Sequence, residues 1–263
     1  MELLGYFSAL FIGITLGLIG SGGAILTVPI LVYLFNIKPE QATGYSLFIV
    51  GFTSGIGAIR HYFMGNLQLK TAVYFVVPST AMLLLTRKYI LPNIPDHLFQ
   101  IGSFNFTKDL LLLLLFSVLM IFASISMIRK SAEPIENHKV NPFQLSVIGF
   151  IVGCVSGLLG AGGGFLIIPS LLFFGKLNMK QAVGTSLLII TTATLMGFAG
   201  DVVQGHSFDY TLLAKITALA LAGLLLGTQL SKKMNSAQLK PIFGWFVLGM
   251  GCYIIIKSLF FSR

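Results

Sequence analysis

Apolar residues along the chain form segments long enough to cross a membrane, separated by short polar turns. The first apolar run extends from about residue 3 to residue 35, and another extends from about 143 to 174. A continuous helix of about 32 residues would be roughly 48 Å long, whereas the hydrocarbon core of a bilayer is about 30 Å thick. Glycines interrupt each run near its middle. We therefore expect each helix to break there and change direction.

The same glycine-rich block occurs twice. Residues Gly17 to Pro29 read GLIGSGGAILTVP, and residues Gly157 to Pro169 read GLLGAGGGFLIIP, 140 positions later. The helix that follows repeats at the same offset, because QATGYSL, starting at Gln41, matches QAVGTSL, starting at Gln181. A repeat of this length, in register, predicts a duplicated membrane unit.

The remaining apolar segments complete the two halves. They predict helices at about residues 42–62, 71–86, 110–128, 182–203, 211–230 and 241–261. The polar stretch 87–109, with its scattered apolar residues, is typical of a segment that lies at the membrane interface. The pattern predicts an all-α polytopic membrane protein with about eight hydrophobic segments. Its domains are a first repeat at 1–130, a cytoplasmic linker at 131–141 and a second repeat at 142–263.

Composition excludes a soluble protein. Hydrophobic residues make up 56% of the chain and charged residues 10%, whereas about a quarter of the residues in a soluble domain are charged. The formal net charge is +9, but the basic residues stand singly or in pairs at the ends of apolar segments, as membrane anchors do. We therefore predict the lipid bilayer as a partner and no nucleic acid.

Loop charges bear on the topology, because basic residues prefer cytoplasmic loops. If each glycine-broken run is a re-entrant hairpin, the inside loops carry ten basic residues and the outside loops six. If every run crosses once, the best division is nine against seven. The count favours two inverted repeats, each with a re-entrant helix pair and three spanning helices, a recurring plan of secondary transporters. The small margin leaves full crossing open.

The paired blocks, each followed by a Gln-Ala-x-Gly-x-Ser-Leu helix start, resemble the sulfite exporter TauE/SafE family of membrane permeases over nearly the whole chain. The resemblance implies a bacterial inner-membrane transporter and no enzyme. It also implies a substrate among sulfite, sulfonates and related sulfur-containing organic anions. It does not specify the exact anion, the direction of transport, the coupling ion or the oligomeric state.

The glycine breaks are the candidate substrate site. Half-helices that begin near Ala24 and Phe165 would point backbone amides into a central, water-filled cavity, and a helix N-terminus attracts anions. The candidate binding residues lie in the breaks or at the start of the next helix, with one arginine added as an anion-attracting side chain: Gly20, Ser21, Gly22, Gly23, Ala24, Gly160, Ala161, Gly162, Gly163, Gly164, Gln41, Thr43, Ser46, Gln181, Thr185, Ser186 and Arg60.

Two structural alternatives accompany this site. The glycines can serve only close helix packing, and the polar side chains at the helix starts can simply cap those helices and bond between them. The charged residues near helix ends, Arg60, His61, Asp201 and Lys215, are expected to snorkel towards the interface. No catalytic residue, metal ligand or cofactor is predicted.

Two other classes of function remain alternatives. An intramembrane serine hydrolase would need Ser21 with His61 as its base, but the second copy has Ala161 and Asp201 at these positions. The duplication is therefore better explained by its glycines than by a nucleophile. A non-transporting membrane scaffold would use the glycines for packing alone, and measuring flux would distinguish it from a transporter.

Overall fold

A computed structural model describes residues 2–19, 21–101, 104–128, 141–160, 163–231 and 236–260 as a helix bundle. The α-helices of the first half are α1 Glu2–Ile19, α2 Thr27–Leu34, α3 Pro39–Phe63, α4 Leu69–Leu85, α5 Leu91–Asn93 and α6 Lys108–Ile128. Those of the second half are α7 Pro142–Leu159, α8 Gly164–Phe173, α9 Met179–Val203, α10 Tyr210–Ser231 and α11 Ser236–Phe260.

Four short elements complete the first half. A 3₁₀ helix at Ser21–Leu26 leads into α2, and a π-helical turn at Thr86–Ile90 joins α4 to α5. The strands β1 His97–Ile101 and β2 Phe104–Thr107 then pair as an antiparallel hairpin. The helix predicted at about 71–86 therefore ends too early, and the interfacial position of 87–109 stays a prediction. The helix continues to Asn93, because the π-helical turn keeps the backbone helical where the sequence becomes polar.

Six of the described helices are long and apolar enough to cross a membrane: Pro39–Phe63, Leu69–Asn93, Lys108–Ile125, Pro142–Leu159, Met179–Val203 and Tyr210–Leu230. Three shorter apolar helices accompany them, at Gly5–Leu18, Ala24–Leu34 and Val247–Ser258. The prediction of an all-α polytopic membrane protein is confirmed.

Glycines end the helices at the second break. Gly160 follows α7 with φ +66°, and Gly163 precedes α8 with φ +62°. Both values lie in the left-handed region, which glycine enters without steric cost and other residues avoid. The chain therefore stops one helix and starts another between these two positions, as the glycine pattern predicted.

The duplicated helices α3 and α9 pack against each other in antiparallel directions. A Cβ atom on Gly44 would lie 3.1 Å from Asp201, and one on Gly51 would lie 2.8 Å from Thr194. At the other end of the pair, a Cβ atom on Gly184 would lie 3.0 Å from His61. Small residues thus let the two backbones approach along most of their length.

The outer helices of the two halves pack in parallel pairs. Along α4 and α7, Gly149 faces Phe75, Gly153 faces Ser79 and Gly157 faces Thr86, so residue numbers rise together. Along α1 and α10, Gly13 faces Leu224 and Gly17 faces Thr228 in the same way.

These directions show where the second glycine-broken segment enters and leaves the bundle. Helix α7 starts beside the start of α4. The contact that shows this is the hydrogen bond from the Ser146 hydroxyl to the Tyr74 carbonyl, at 3.1 Å. Helix α9 starts at the same end, since Gly184 lies against the Asn66 carbonyl, just after α3. The pair α7–α8 therefore begins and ends at one end of the bundle.

The first broken segment begins and ends at the opposite end. The Asp209 amide, just before α10, donates to the Tyr45 hydroxyl near the start of α3 at 2.7 Å. Helix α1 runs parallel to α10, and α2 returns to α3 at Pro39. The predicted architecture, two inverted repeats with re-entrant helix pairs, would need the helices to run in these directions. The repeat boundaries and the membrane orientation stay predictions, and the linker predicted at 131–141 lies outside the described residues except for Asn141.

Candidate functional site

Inside the bundle, the 3₁₀ helix of the first break packs against α8, the helix that follows the second break. Ala24 and Ile25 in the first break are at most 1% exposed, and Gly163 and Gly164 in the second are buried. These four residues are thus closed to solvent and lipid. Of the predicted site residues, Gly20, Ala161 and Gly162 lie outside the described residues, as does the side chain of Ser21.

A buried ion pair lies beside the second break. Arg87 in the π-helical turn is 5% exposed and Asp201 in α9 is 2% exposed. The guanidinium donates through Nε to Asp201 Oδ1 at 2.5 Å and through Nη2 to Oδ2. Its Nη1 donates to the Thr43 hydroxyl at 3.2 Å and to the Gly157 carbonyl at 3.0 Å. The cluster therefore ties α3, α4, α7 and α9 together across the two halves.

The prediction that Asp201 snorkels at a helix end is wrong, and Arg87 is no loop residue. Two charges this deeply buried are tolerated because each supplies the hydrogen-bond partners of the other. Removing one partner from such a pair costs about 3–5 kcal/mol. The sequence carried a signal for the pair: at the repeat offset, Arg87 corresponds to Gly227 and Asp201 to His61. Each of these two charged residues thus stands at a position where the other half of the chain has no residue of the same charge.

Four hydroxyl groups around the breaks are buried and have no hydrogen-bond partner among the described residues: Thr27, Ser46, Thr86 and Ser156. Thr27 directly follows the 3₁₀ helix, and Ser156 would lie 3.4 Å from a Cβ atom on Gly163. Thr86 packs against Gly157, and Ser46 follows Thr43 by nearly one helical turn. Each unpaired buried hydroxyl costs about 1–3 kcal/mol. The surroundings of the breaks thus hold several polar groups that the fold itself does not satisfy.

Three predicted residues of the second repeat make hydrogen bonds within the fold instead. Gln181 forms a reciprocal capping box with Asn178 at the start of α9. The Thr185 hydroxyl accepts a hydrogen bond from the Gln68 amide at 3.1 Å, at the start of α4. Ser186 donates to the carbonyl of Val183. Gln181 therefore acts as the capping alternative expects, and Thr185 bonds between two helices.

The predicted side chains of the first repeat differ in their exposure, their hydrogen-bond partners and their position in the bundle. Gln41 is exposed. Thr43 donates to the Glu40 carbonyl at 2.6 Å and accepts from Arg87, whereas Ser46 is unpaired. Arg60 donates to the Thr228 hydroxyl near the end of α10. The structure thus brings Thr43 to the second break and places Arg60 at the other end of the bundle.

A small apolar cavity lies beside the second break and is lined by Val28, Pro39, Thr43, Leu112, Leu113, Phe116 and Leu159. Its free volume is about 10 Å³, which is at most enough for one water molecule. A sulfonate does not fit there. The water-filled cavity expected from the sequence is therefore not open at this place.

The match to known proteins covers nearly the whole chain. Residues 6–254 match the family described as Sulfite exporter TauE/SafE. The chain belongs to this family.

Among the described residues, no group of three or more His, Cys, Asp or Glu side chains is placed to hold a metal ion.

The relatives of this TauE/SafE protein carry transporter names. It is 30% identical over 258 residues to a "Probable membrane transporter protein" of Xylella fastidiosa, across 94% of this chain and 92% of the relative. It is 30% identical to "Probable membrane transporter protein YdhB" of Bacillus subtilis, across 87% and 90% of the two chains. For "Probable membrane transporter protein MJ0441" of Methanocaldococcus jannaschii the identity is 26%, across 93% and 92%. No solved structure matches. The protein is thus a multi-pass membrane transporter and not an enzyme.

Proposed function

We propose that the protein transports small sulfur-containing anions, sulfite or sulfonates, and binds them where the two glycine breaks meet. The observation that carries this proposal is the set of buried, unpaired hydroxyls of Thr27, Ser46, Thr86 and Ser156 beside the breaks. A fold that needed only packing at this place would gain stability by replacing such hydroxyls with apolar groups.

The chemistry of the breaks suits an oxoanion. A sulfite or sulfonate group offers three acceptor oxygens and needs several donors when it leaves water. Hydroxyl groups supply donors without a fixed charge. The start of α8 adds the positive end of a helix dipole, about half an elementary charge. Glycine at these positions lets an anion approach the backbone closely.

The two broken helix pairs suit an alternating-access cycle. The pairs α1–α2 and α7–α8 start from opposite ends of the bundle and pack together where the 3₁₀ helix contacts α8. A movement of one pair relative to α3 and α9 would open the site to one side, as in other transporters with discontinuous helices. The inner membrane of a bacterium is the location that this function predicts.

The test is uptake of radiolabelled sulfite and of sulfoacetate into proteoliposomes. Gly22→Val and Gly163→Val should lower flux by about tenfold or more, the effect of roughly 1.4 kcal/mol at the site, because a side chain shields the backbone amides. Gly249→Val is the matched control, since Gly249 is an exposed helical glycine with open space around it. Its flux should equal that of the unaltered protein.

Two results would contradict the proposal. One is unchanged flux in both site variants when size-exclusion chromatography shows properly inserted protein. The other is an unaltered protein that carries neither sulfite nor sulfoacetate above the rate of empty liposomes.

A further inference from the structure

We propose that Arg87 is an anion-binding residue of the transport path and that Asp201 occupies its guanidinium group when no substrate is bound. The inference rests on the proposed function and adds a residue from the stretch predicted to lie at the membrane interface. Asp201 then competes with the substrate anion for the guanidinium group of Arg87.

The geometry of the ion pair matches the recognition of an oxoanion. Nε and Nη2 of Arg87 donate in parallel to the two carboxylate oxygens of Asp201. The same edge of a guanidinium group binds two oxygens of a sulfite or sulfonate equally well. The other nitrogen, Nη1, is held by Thr43 and the Gly157 carbonyl. One anion can therefore replace another on Arg87 while these two contacts keep the guanidinium in place.

The contacts of Arg87 connect it to the second glycine break. Gly157, which accepts from Nη1, precedes Gly160 by three residues in the chain. Gly160 in turn lies against the backbone of Thr43, the other partner of Nη1. Thr86, which directly precedes Arg87, has an unpaired buried hydroxyl. Thr86 and Arg87 lie on a π-helical turn, an irregularity that occurs frequently at functional sites.

Asp201 is placed where its carboxylate can be released. It lies in the last turn of α9, and the residues from Val202 to Ser207 that follow it are exposed. On the arginine side, Lys88 directly after Arg87 is also exposed. A carboxylate that leaves Arg87 can therefore turn towards water and need not remain buried without a partner. The ion pair closes this end of the bundle in the present conformation, and exchange with an anion opens it.

A second ion pair at the same end of the bundle supplies a control. Lys108 Nζ lies 2.6 Å from Glu40 Oε1, and the Lys108 side chain is 6% exposed. Glu40 is 38% exposed, and Lys108 donates through a single ammonium group, without the planar fork of an arginine. This pair joins α3 to α6, so neutralising it tests the general effect of losing an ion pair.

The experiment measures the thermal unfolding of purified protein in detergent over a range of sulfoacetate concentrations. In Asp201→Asn the competing charge is gone and Arg87 remains, so the half-saturating concentration should fall by about tenfold or more. In the double variant Arg87→Gln/Asp201→Asn, sulfoacetate should no longer raise the unfolding temperature. The control Glu40→Gln/Lys108→Gln should respond like the unaltered protein.

Each outcome bears on the inference. An unchanged half-saturating concentration in Asp201→Asn overturns it, and so does a full response in the double variant. If Asp201→Asn does not fold, the charge-neutral double variant decides alone: a folded protein without a response supports the inference, and one with a response overturns it. Flux of the unaltered protein is measured in parallel. A protein that shows the expected sulfoacetate responses but carries no sulfonate refutes the proposed function and leaves Arg87 as an anion site.

Discussion

The backbone of Thr43 lies directly against Gly160 and leaves no room for a side chain on that glycine. Gly160 also has φ +66°, in the left-handed region. The tip of the second helix pair therefore rests on the start of α3 with backbone against backbone. The same threonine holds Arg87 through its hydroxyl, so this contact links the break to the buried ion pair.

Gly160→Ala should destabilise the protein more than an alanine at another left-handed glycine. Gly65→Ala is the matched control, because Gly65 has φ +71° and a Cβ atom added there would meet no other atom within 4 Å. Backbone strain alone costs about 1–2 kcal/mol in both variants. Only Gly160→Ala must also displace α3, at a further cost of about 1–3 kcal/mol for overpacking. The midpoint of thermal unfolding in detergent measures the difference, and equal shifts in the two variants would show that the contact is not tight.

Ser46→Ala should raise stability and lower transport. The Ser46 hydroxyl is buried without a partner, so its removal should stabilise the fold by up to about 1–3 kcal/mol. If the hydroxyl binds the substrate, the same variant loses one donor to the anion. Ser186→Ala, at the equivalent position of the other half, is the control, because that hydroxyl already donates to Val183 at 2.8 Å. Unfolding temperature and flux are measured together. A Ser46→Ala protein with lower stability and unaltered flux would contradict both parts.

Cysteine labelling tests whether the helix pair α7–α8 enters and leaves on one side. Single cysteines at Asn141 and Lys176, both exposed, should react with a membrane-impermeant maleimide only from the cytoplasmic side. Cysteines at Lys38 and Gln204, also exposed, should react only from the opposite side.

The two native cysteines must first be replaced by serine in this experiment, since both are free and Cys252 is exposed. Labelling of the Asn141 and Lys176 positions from opposite sides would show that the segment crosses the membrane once. Labelling of both from outside would instead reverse the predicted orientation.

Sequence patterns located the helices well, because membrane helices depend on local composition. The predicted helix at 182–203 differs by three residues from α9 at its start, and the predicted helix at 110–128 by two residues from α6. Apolar length, glycine breaks and polar turns are local properties of the chain. They predict where a helix begins and ends without knowledge of its neighbours.

Arg87 was missed because its environment is not local. Its partners Thr43, Gly157 and Asp201 lie 44, 70 and 114 residues away in the chain. In the sequence, the arginine stands at the start of a polar stretch that looks like a loop. Burial of such a charge becomes tolerable only when distant groups satisfy it, and no local pattern reports those groups.

The amino-acid sequence by itself determined that this is a polytopic membrane protein, and its repeated glycine-rich block predicted a broken helix in each half. Those properties follow from the hydrophobicity of single segments and from the freedom of glycine backbones. Only the tertiary structure decided which polar groups lie beside the breaks and which cap helices. The physical reason is that pairing of buried polar groups depends on which helices touch, and the packing of α3, α4, α7 and α9 brings one charge from each half together.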